Sequence, residues 1–300
     1  MESESQMQKT ADNLDSFIQK INLRLEYLID NAFPETDVLS DAVKYSLLSK
    51  AKRLRPSIVI ATGKAFNVPE DISIDPACCI EMIHTYSLIH DDLPSMDDDD
   101  YRRGKPSLHV AYNEAIAILA GDFLLTYPFE VLANLKSVSA EKKINLVKVL
   151  ANRSGGNELI KGQVIDLTSE GKDLPQEMVE KMHLKKTASM ILASLEFAAV
   201  LGDASQSEIT ILQEIGKSVG LAFQIKDDIL DVTSSTDILG KPAKSDVINK
   251  KATFVTCIGI DKAKVYVDAL KTKSVKLLNS LNRNTLDLEQ LIENLFSKKA

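Results

Sequence analysis

The chain has 300 residues, 44% apolar and 26% charged, with a formal net charge of −7. No basic stripe stands against that acidic balance, which excludes a nucleic-acid partner. Only 12 Gly and 9 Pro occur, and apolar residues recur at helical rather than alternating spacing, so an all-α fold is expected. No linker, low-complexity stretch or solenoid repeat divides it, and one domain over residues 1–300 is expected. Cys78, Cys79 and Cys257 give no disulfide framework, and their apolar neighbours point to buried thiols in a reducing compartment. The polar N-terminus MESESQMQKTADN lacks a secretory layout. Asp122 with Pro128, and Glu196, interrupt the two greasiest stretches, so a cytoplasmic protein with no membrane span is expected.

Leu14, Phe17, Ile18, Ile21, Leu25 and Leu28 mark a first amphipathic helix, ended by Asn31-Ala-Phe-Pro34. A segment from Asp41 to Ser49 leads into KAKRLRP, residues 50–56. Such a run of cations is ordinarily a solvated helix edge. Pro56 at a helix start would instead set the arginines near a positive helix N-terminus, a place suited to anions. Ile74 to Ile89 reads as a helix that delivers Asp91 and Asp92 at its C-terminal end. Ala111 to Leu125 is nearly all apolar and should be central; Asp122 inside it needs a polar partner. A further helix carries Gln163 and Asp166, and a long apolar helix from Met182 to Leu201 opens with His183, Lys185, Lys186 and Thr187.

The stretch HTYSLIHDDLPSMDDDDYRRGK, residues 84–105, holds six aspartates in ten residues, followed by Arg102 and Arg103. Aspartates this close repel one another unless cations sit among them. All-oxygen ligands suit Mg²⁺, which bridges carboxylates to phosphates, and paired arginines grip phosphate oxygens in a fork. A solvated acidic loop is the bland alternative, but this block follows Met82, Ile83, Tyr86, Leu88 and Ile89. A calcium loop counted from Asp97 would need Gly and Glu where Arg102 and Leu108 stand.

QIKDDILD, residues 224–231, repeats the theme. Helical spacing sets Gln224, Asp227 and Asp231 on one face, with Asp228 about 100° round. Leu221, Ile225, Ile229 and Val232 flank them, so these carboxylates need a metal or a partner such as Lys226 or an arginine. Lys241 and Lys251 follow, placed to reach phosphates. Two aspartate clusters facing each other would clamp a metal–diphosphate and help it leave. No nucleophile triad, nucleotide-binding glycine loop or zinc pattern offers a rival chemistry.

In these ordered motifs the chain resembles the trans-prenyl (polyprenyl) diphosphate synthases, most closely the bacterial branch that makes farnesyl diphosphate. Asp91, Asp92 and Asp97 match the longer first aspartate motif, Arg102 and Arg103 its arginine pair, and Asp227, Asp228 and Asp231 the second motif. The resemblance implies an all-α bundle around a large cavity (the isoprenoid synthase fold), usually a homodimer. It implies Mg²⁺, with Mn²⁺ as an alternative, held by Asp91, Asp92, Asp97, Asp227, Asp228 and Asp231. Asp91, Asp97 and Asp227 would bridge the metals to the allylic diphosphate. Arg102, Lys186, Thr187, Gln224, Lys241 and Lys251 would hold that substrate. Lys52, Arg55, His84 and Arg103 would hold isopentenyl diphosphate.

The implied reaction is ionisation, condensation and proton loss, with released pyrophosphate as the base. Lys50-Ala51, Ala188 and Lys250 replace family glycines, and Val255 replaces a proline. The resemblance assigns Tyr86 as the cavity floor that stops growth at fifteen carbons, with geranylgeranyl diphosphate as the alternative product. Helical geometry alone aligns Ser87 with Asp91 better, about 40° away against about 140° for Tyr86. A class I terpene cyclase is a rival, but its second motif mixes Asn, Ser and Glu. A non-catalytic regulatory subunit is another, and such chains lose an aspartate motif that this one keeps.

Overall fold

A computed structural model describes residues 2–233 and 251–297, with side chains over 15–233 and 251–296. The first half of the chain forms α1 (Glu2–Ala32), α2 (Val38–Leu47), α3 (Leu54–Ala65), α4 (Glu70–Asp91), α5 (Leu108–Ala111) and α6 (Glu114–Ala133). There follow α7 (Ala140–Ser154), α8 (Leu159–Ser169), α9 (Gln176–His183), α10 (Ser189–Leu201) and α11 (Gln206–Thr233). The last elements are α12 (Phe254–Ile258), α13 (Ile260–Ser280) and α14 (Leu286–Ser297). A π-helical segment, Leu184–Ala188, joins α9 to α10. Between α4 and α5, β1 (Tyr101–Arg102) pairs with β2 (Lys105–Pro106) in a small antiparallel hairpin. The all-α expectation holds.

Local chemistry sets several helix starts. Asp37 and Ser40 form a reciprocal capping box at α2, Asn113 caps α6, Ser139 caps α7, and Thr253 with Thr256 caps α12. α4 and α10 are the central pair. Every residue from Ala77 to Ile83 is buried, as is every residue from Ser189 to Ala199, so both helices are surrounded. α4 packs against α1, α2, α3, α6, α7 and α10, and α10 packs against α3, α7 and α11. Glu196 inside α10 is gripped by Arg153 through two hydrogen bonds of 2.6 and 2.9 Å, and Gln213 adds a third, so this buried carboxylate is paired.

The buried apolar residues form two clusters. The larger gathers α1 to α4, α6, α7, α10 and part of α11. The smaller joins Ile165, Val179, Met182, Leu221, Ile225, Ile229 and Phe254. The first aspartate motif hangs from the large cluster and the second lies along the small one, so both ends of the site have a rigid backing.

One expectation is corrected. The Ala111–Leu125 run is not one central helix: it breaks at Tyr112 and restarts at Glu114 after the Asn113 cap, and α6 buries only one face. Ala117, Ala120, Gly121 and Leu124 lie buried, whereas Ile118 is 42% and Leu119 52% exposed. Asp122 belongs to the exposed face, so no buried charge has to be balanced there. By length and hydropathy α6 is also apolar enough to cross a membrane, despite Asp122 and Pro128. Cys78 and Cys79 are buried free thiols, pushed well up by burial, while Cys257 is half-buried.

Candidate active site

Asp91 ends α4 and Asp92 caps it. A helix C-terminus is the negative end of the dipole, so two carboxylates there demand nearby cations. The following loop folds back: the Asp97 N–H donates to the Asp91 carbonyl at 2.9 Å, and Asp98 adopts a left-handed φ of 53°. This fold sets the Asp97 carboxylate near Asp91. Burial pushes Asp91 up to about 6; Lys186 opposes the shift and Asp97 adds to it.

The hairpin turn has positive φ at Arg103 (55°) and Gly104 (76°), the twist that suits a two-residue turn. It sends Arg102 back onto Asp92, with Nε donating to Oδ1 at 2.9 Å and to Oδ2 at 3.2 Å, and Nη2 donating to Oδ1 and to Asp99 Oδ2. Asp92 is 2% exposed, so its carboxylate is already taken by Arg102.

Lys186 and Thr187 enter from the π-helical segment, a local distortion common at functional sites. Gly162 of α8 permits the approach, since a Cβ there would stand 2.3 Å from the Lys186 nitrogen. Lys186 Nζ lies 2.6 Å from Asp166 Oδ2 and 4.0 Å from Asp91 Oδ2. Lys251 Nζ lies 3.0 Å from Asp97 Oδ1. Burial alone would lower both lysines, but Asp91, Asp166 and Asp97 carry Lys186 well above its ordinary value, and Asp166 with Asp97 raise Lys251. Asp166 was given no role from sequence, yet it pairs with Lys186. Beside it on α8, both amide atoms of Gln163 are buried without a protein partner. The available signal was a carboxylate one turn after a Gly-Gln step on an apolar helix.

On α11, Asp227 is exposed while Asp228 and Asp231 are each 2% exposed. The shared face expected for Asp227 and Asp231 therefore does not give them the same environment. Asp228 accepts from the Phe254 N–H at 2.9 Å and from Gln224 Nε2 at 3.0 Å, with His183 Nε2 at 3.3 Å. Thr187 Oγ1 donates to Gln224 Oε1 at 2.7 Å, so one chain of hydrogen bonds joins the π segment to the second motif. Ala188 fits its non-glycine side chain against Gly220, where a Cβ would come within 2.3 Å of the Ala188 methyl.

The cationic cluster lies at the start of α3. Arg55 Nη1 is 3.2 Å from His84 Nε2, and Arg103 Nη1 donates to Ser49 Oγ at 3.2 Å. Lys52 is exposed beside them. Burial, then Arg55 and Arg103, hold His84 well below its ordinary value. Burial lowers Arg55 as well, opposed by Glu81 and Asp227, so the second motif acts electrostatically on this cluster. Lys50 and Ala51 are not left-handed; the turn takes its positive φ at Arg53. The Tyr86 ring, 7% exposed, meets His90 edge-on at 5.5 Å, and burial followed by Asp91 pushes its phenol up to about 12. Ser87 Oγ donates to the His84 carbonyl at 2.9 Å. Lys241 and Lys250 lie outside the described residues.

The polyprenyl synthetase family model matches residues 36–294. The chain belongs to this family. It is 40% identical over 272 residues to a farnesyl diphosphate synthase of Micrococcus luteus, covering 91% of this chain and 93% of that protein. It is 39% identical over 264 residues to geranylgeranyl pyrophosphate synthase 7 of Arabidopsis thaliana, covering 87% and 76%. A Helicobacter pylori geranyltransferase, solved with magnesium and isoprenyl diphosphate, superposes with a TM-score of 0.83 at 33% identity. That match covers 95% of this chain and 97% of the other. The fold is the all-α isoprenoid synthase fold of these proteins.

Proposed function

We propose that this short-chain trans-prenyltransferase joins isopentenyl diphosphate to dimethylallyl and then geranyl diphosphate, giving farnesyl diphosphate. One observation carries the reading: an acidic rim threaded by Lys186 and Lys251 stands near a half-buried cluster of Arg55, His84 and Arg103. Each half is short of opposite charge in its own way, and each suits a different diphosphate.

The donor set fits magnesium, since Asp91 and Asp97 supply hard oxygens, and burial with Asp97 beside it raises Asp91. Mg²⁺ held by Asp91, Asp97 and Asp227 would neutralise charge on the departing diphosphate. Asp92 and Asp228, whose oxygens already accept protein donors, enter the proposal as positioning groups, and Asp231 as a buried support. Lys186, Lys251 and Arg102 hold the allylic diphosphate, with Thr187 and Gln224 fixing the wall beside it. Lys52, Arg55, His84 and Arg103 hold isopentenyl diphosphate. The allylic carbon–oxygen bond breaks, the carbon joins the isopentenyl double bond, and the released pyrophosphate accepts the proton.

The buried Tyr86 ring next to His90 supports a closed floor and a fifteen-carbon product. The exposed apolar face of α6 supports a homodimer surface. A single domain and a cytoplasmic location complete the reading. The purified protein is incubated with Mg²⁺, isopentenyl diphosphate and dimethylallyl diphosphate, and the dephosphorylated alcohols are identified by chromatography. Farnesol is the expected product. Geranylgeraniol would remove the Tyr86 floor, and a cyclic hydrocarbon would replace the synthase with a cyclase.

A further inference from the structure

Arg53 and Glu81 take no part in the chemistry above, yet their side chains are 0% and 2% exposed and joined at 2.6 Å. A buried charge pair of this kind adds little net stability over an apolar pair, yet loss of one partner strands the other charge. Arg53 spends its other donors on Asn22 Oδ1 (2.8 Å), the Leu47 carbonyl (2.7 Å) and the Ser49 carbonyl (3.1 Å). One guanidinium therefore ties α1, the end of α2 and α4 to the residue that opens α3. That residue is left-handed, with φ 46° and ψ 36°, a conformation a side chain disfavours unless its surroundings impose it.

Every residue assigned to isopentenyl diphosphate is one short step from this pair. Lys52 precedes Arg53, and Arg55 follows two residues on. Ser49, whose carbonyl accepts from Arg53, receives Arg103 on its hydroxyl. Glu81 sits one helical turn before His84 on α4 and acts electrostatically on both Arg55 and Arg103.

We propose that Arg53 and Glu81 are positioning residues that set the geometry of the isopentenyl diphosphate subsite without touching substrate. The proposal rests on the assignment of Lys52, Arg55, His84 and Arg103 to that diphosphate. Its sign is distinctive. Glu81→Gln removes one negative charge beside an anion-binding cluster, so electrostatics alone would tighten binding, whereas loss of positioning loosens it. Arg53→Lys keeps the charge but loses the planar fork, so it does not substitute.

Steady-state constants for both substrates are measured on Glu81→Gln, Arg53→Lys and Arg55→Ala, with thermal unfolding run alongside. The expected result is a rise of about tenfold in KM for isopentenyl diphosphate in the first two. The KM for geranyl diphosphate stays within about twofold, a split that general destabilisation does not produce. If neither core variant folds, Asn22→Ala, which removes one acceptor, is expected to raise the same KM about threefold. An isopentenyl KM that is unchanged or lower in folded Glu81→Gln, while Arg55→Ala raises it, overturns the positioning role alone. An unchanged KM in Arg55→Ala overturns the subsite assignment, and the positioning role with it.

Discussion

The two aspartate motifs spell nearly the same letters but are built differently. The first closes a helix and loops back, so its carboxylates meet a negative helix end and each other. The second lies within a continuous helix, and Asp228, one of its two buried members, is met by a backbone N–H from α12. In both, the second aspartate is engaged by protein: Asp92 by the Arg102 fork, Asp228 by Phe254 and Gln224. Asp91, by contrast, faces Lys186 and Asp97, and Asp227 is exposed and acts on Arg55. On the proposed reading, adjacent aspartates in one motif divide between reaching a ligand and holding the scaffold.

The largest way to break this division is to neutralise the reaching members. Asp97→Asn and Asp227→Asn should each lower kcat about 10³-fold, the scale of losing one preorganised electrostatic group. Chelation by EDTA should abolish turnover, and added Mg²⁺ should restore it. The scaffold members should behave differently. Asp228→Asn leaves buried donors poorly met and should cost about 1–3 kcal/mol in denaturant unfolding. Its activity should fall less than that of Asp227→Asn, and equal kinetic losses would erase the distinction.

A smaller effect sharpens the point from the stability side. Asp91 has a folded value of about 6, above its unfolded value of about 3.9, so its ionised form is disfavoured by folding. Stability therefore falls as pH rises from about 4 through 6. In EDTA at pH 7.5, Asp91→Asn should melt about 2 °C higher than the parent, and the gap should close near pH 4. The variant should be inactive at either pH. The smallest effect concerns Glu214, lowered to about 2 by hydrogen bonds from Lys217 and Lys273. Its stabilising contribution is present above about 4.3 and disappears as pH falls towards 2. Glu214→Gln should thus cost under about 1 kcal/mol at neutral pH and nothing in strong acid.

The all-α fold was legible because apolar spacing is periodic throughout, and both motifs were legible because like charges cluster only at a cost. What stayed hidden depends on partners distant in sequence. Asp166 gains its role from Lys186, 20 residues away, through contact with a π segment that no spacing rule announces. Among the cations of KAKRLRP, nothing in the order of letters tells which one turns inward; the left-handed backbone at Arg53 decides it. The α6 run looked central because composition does not say how many faces are covered. Gly220 facing Ala188 is likewise a matter of two helices meeting, so the replaced glycine had no visible compensation in the sequence.

The most direct test of the account follows label from isopentenyl diphosphate into product in a single turnover with geranyl diphosphate, with and without Mg²⁺. The account predicts one labelled unit per farnesol after phosphatase treatment, formed only with the metal. A folded protein that holds both substrates with Mg²⁺ and incorporates no label would contradict it.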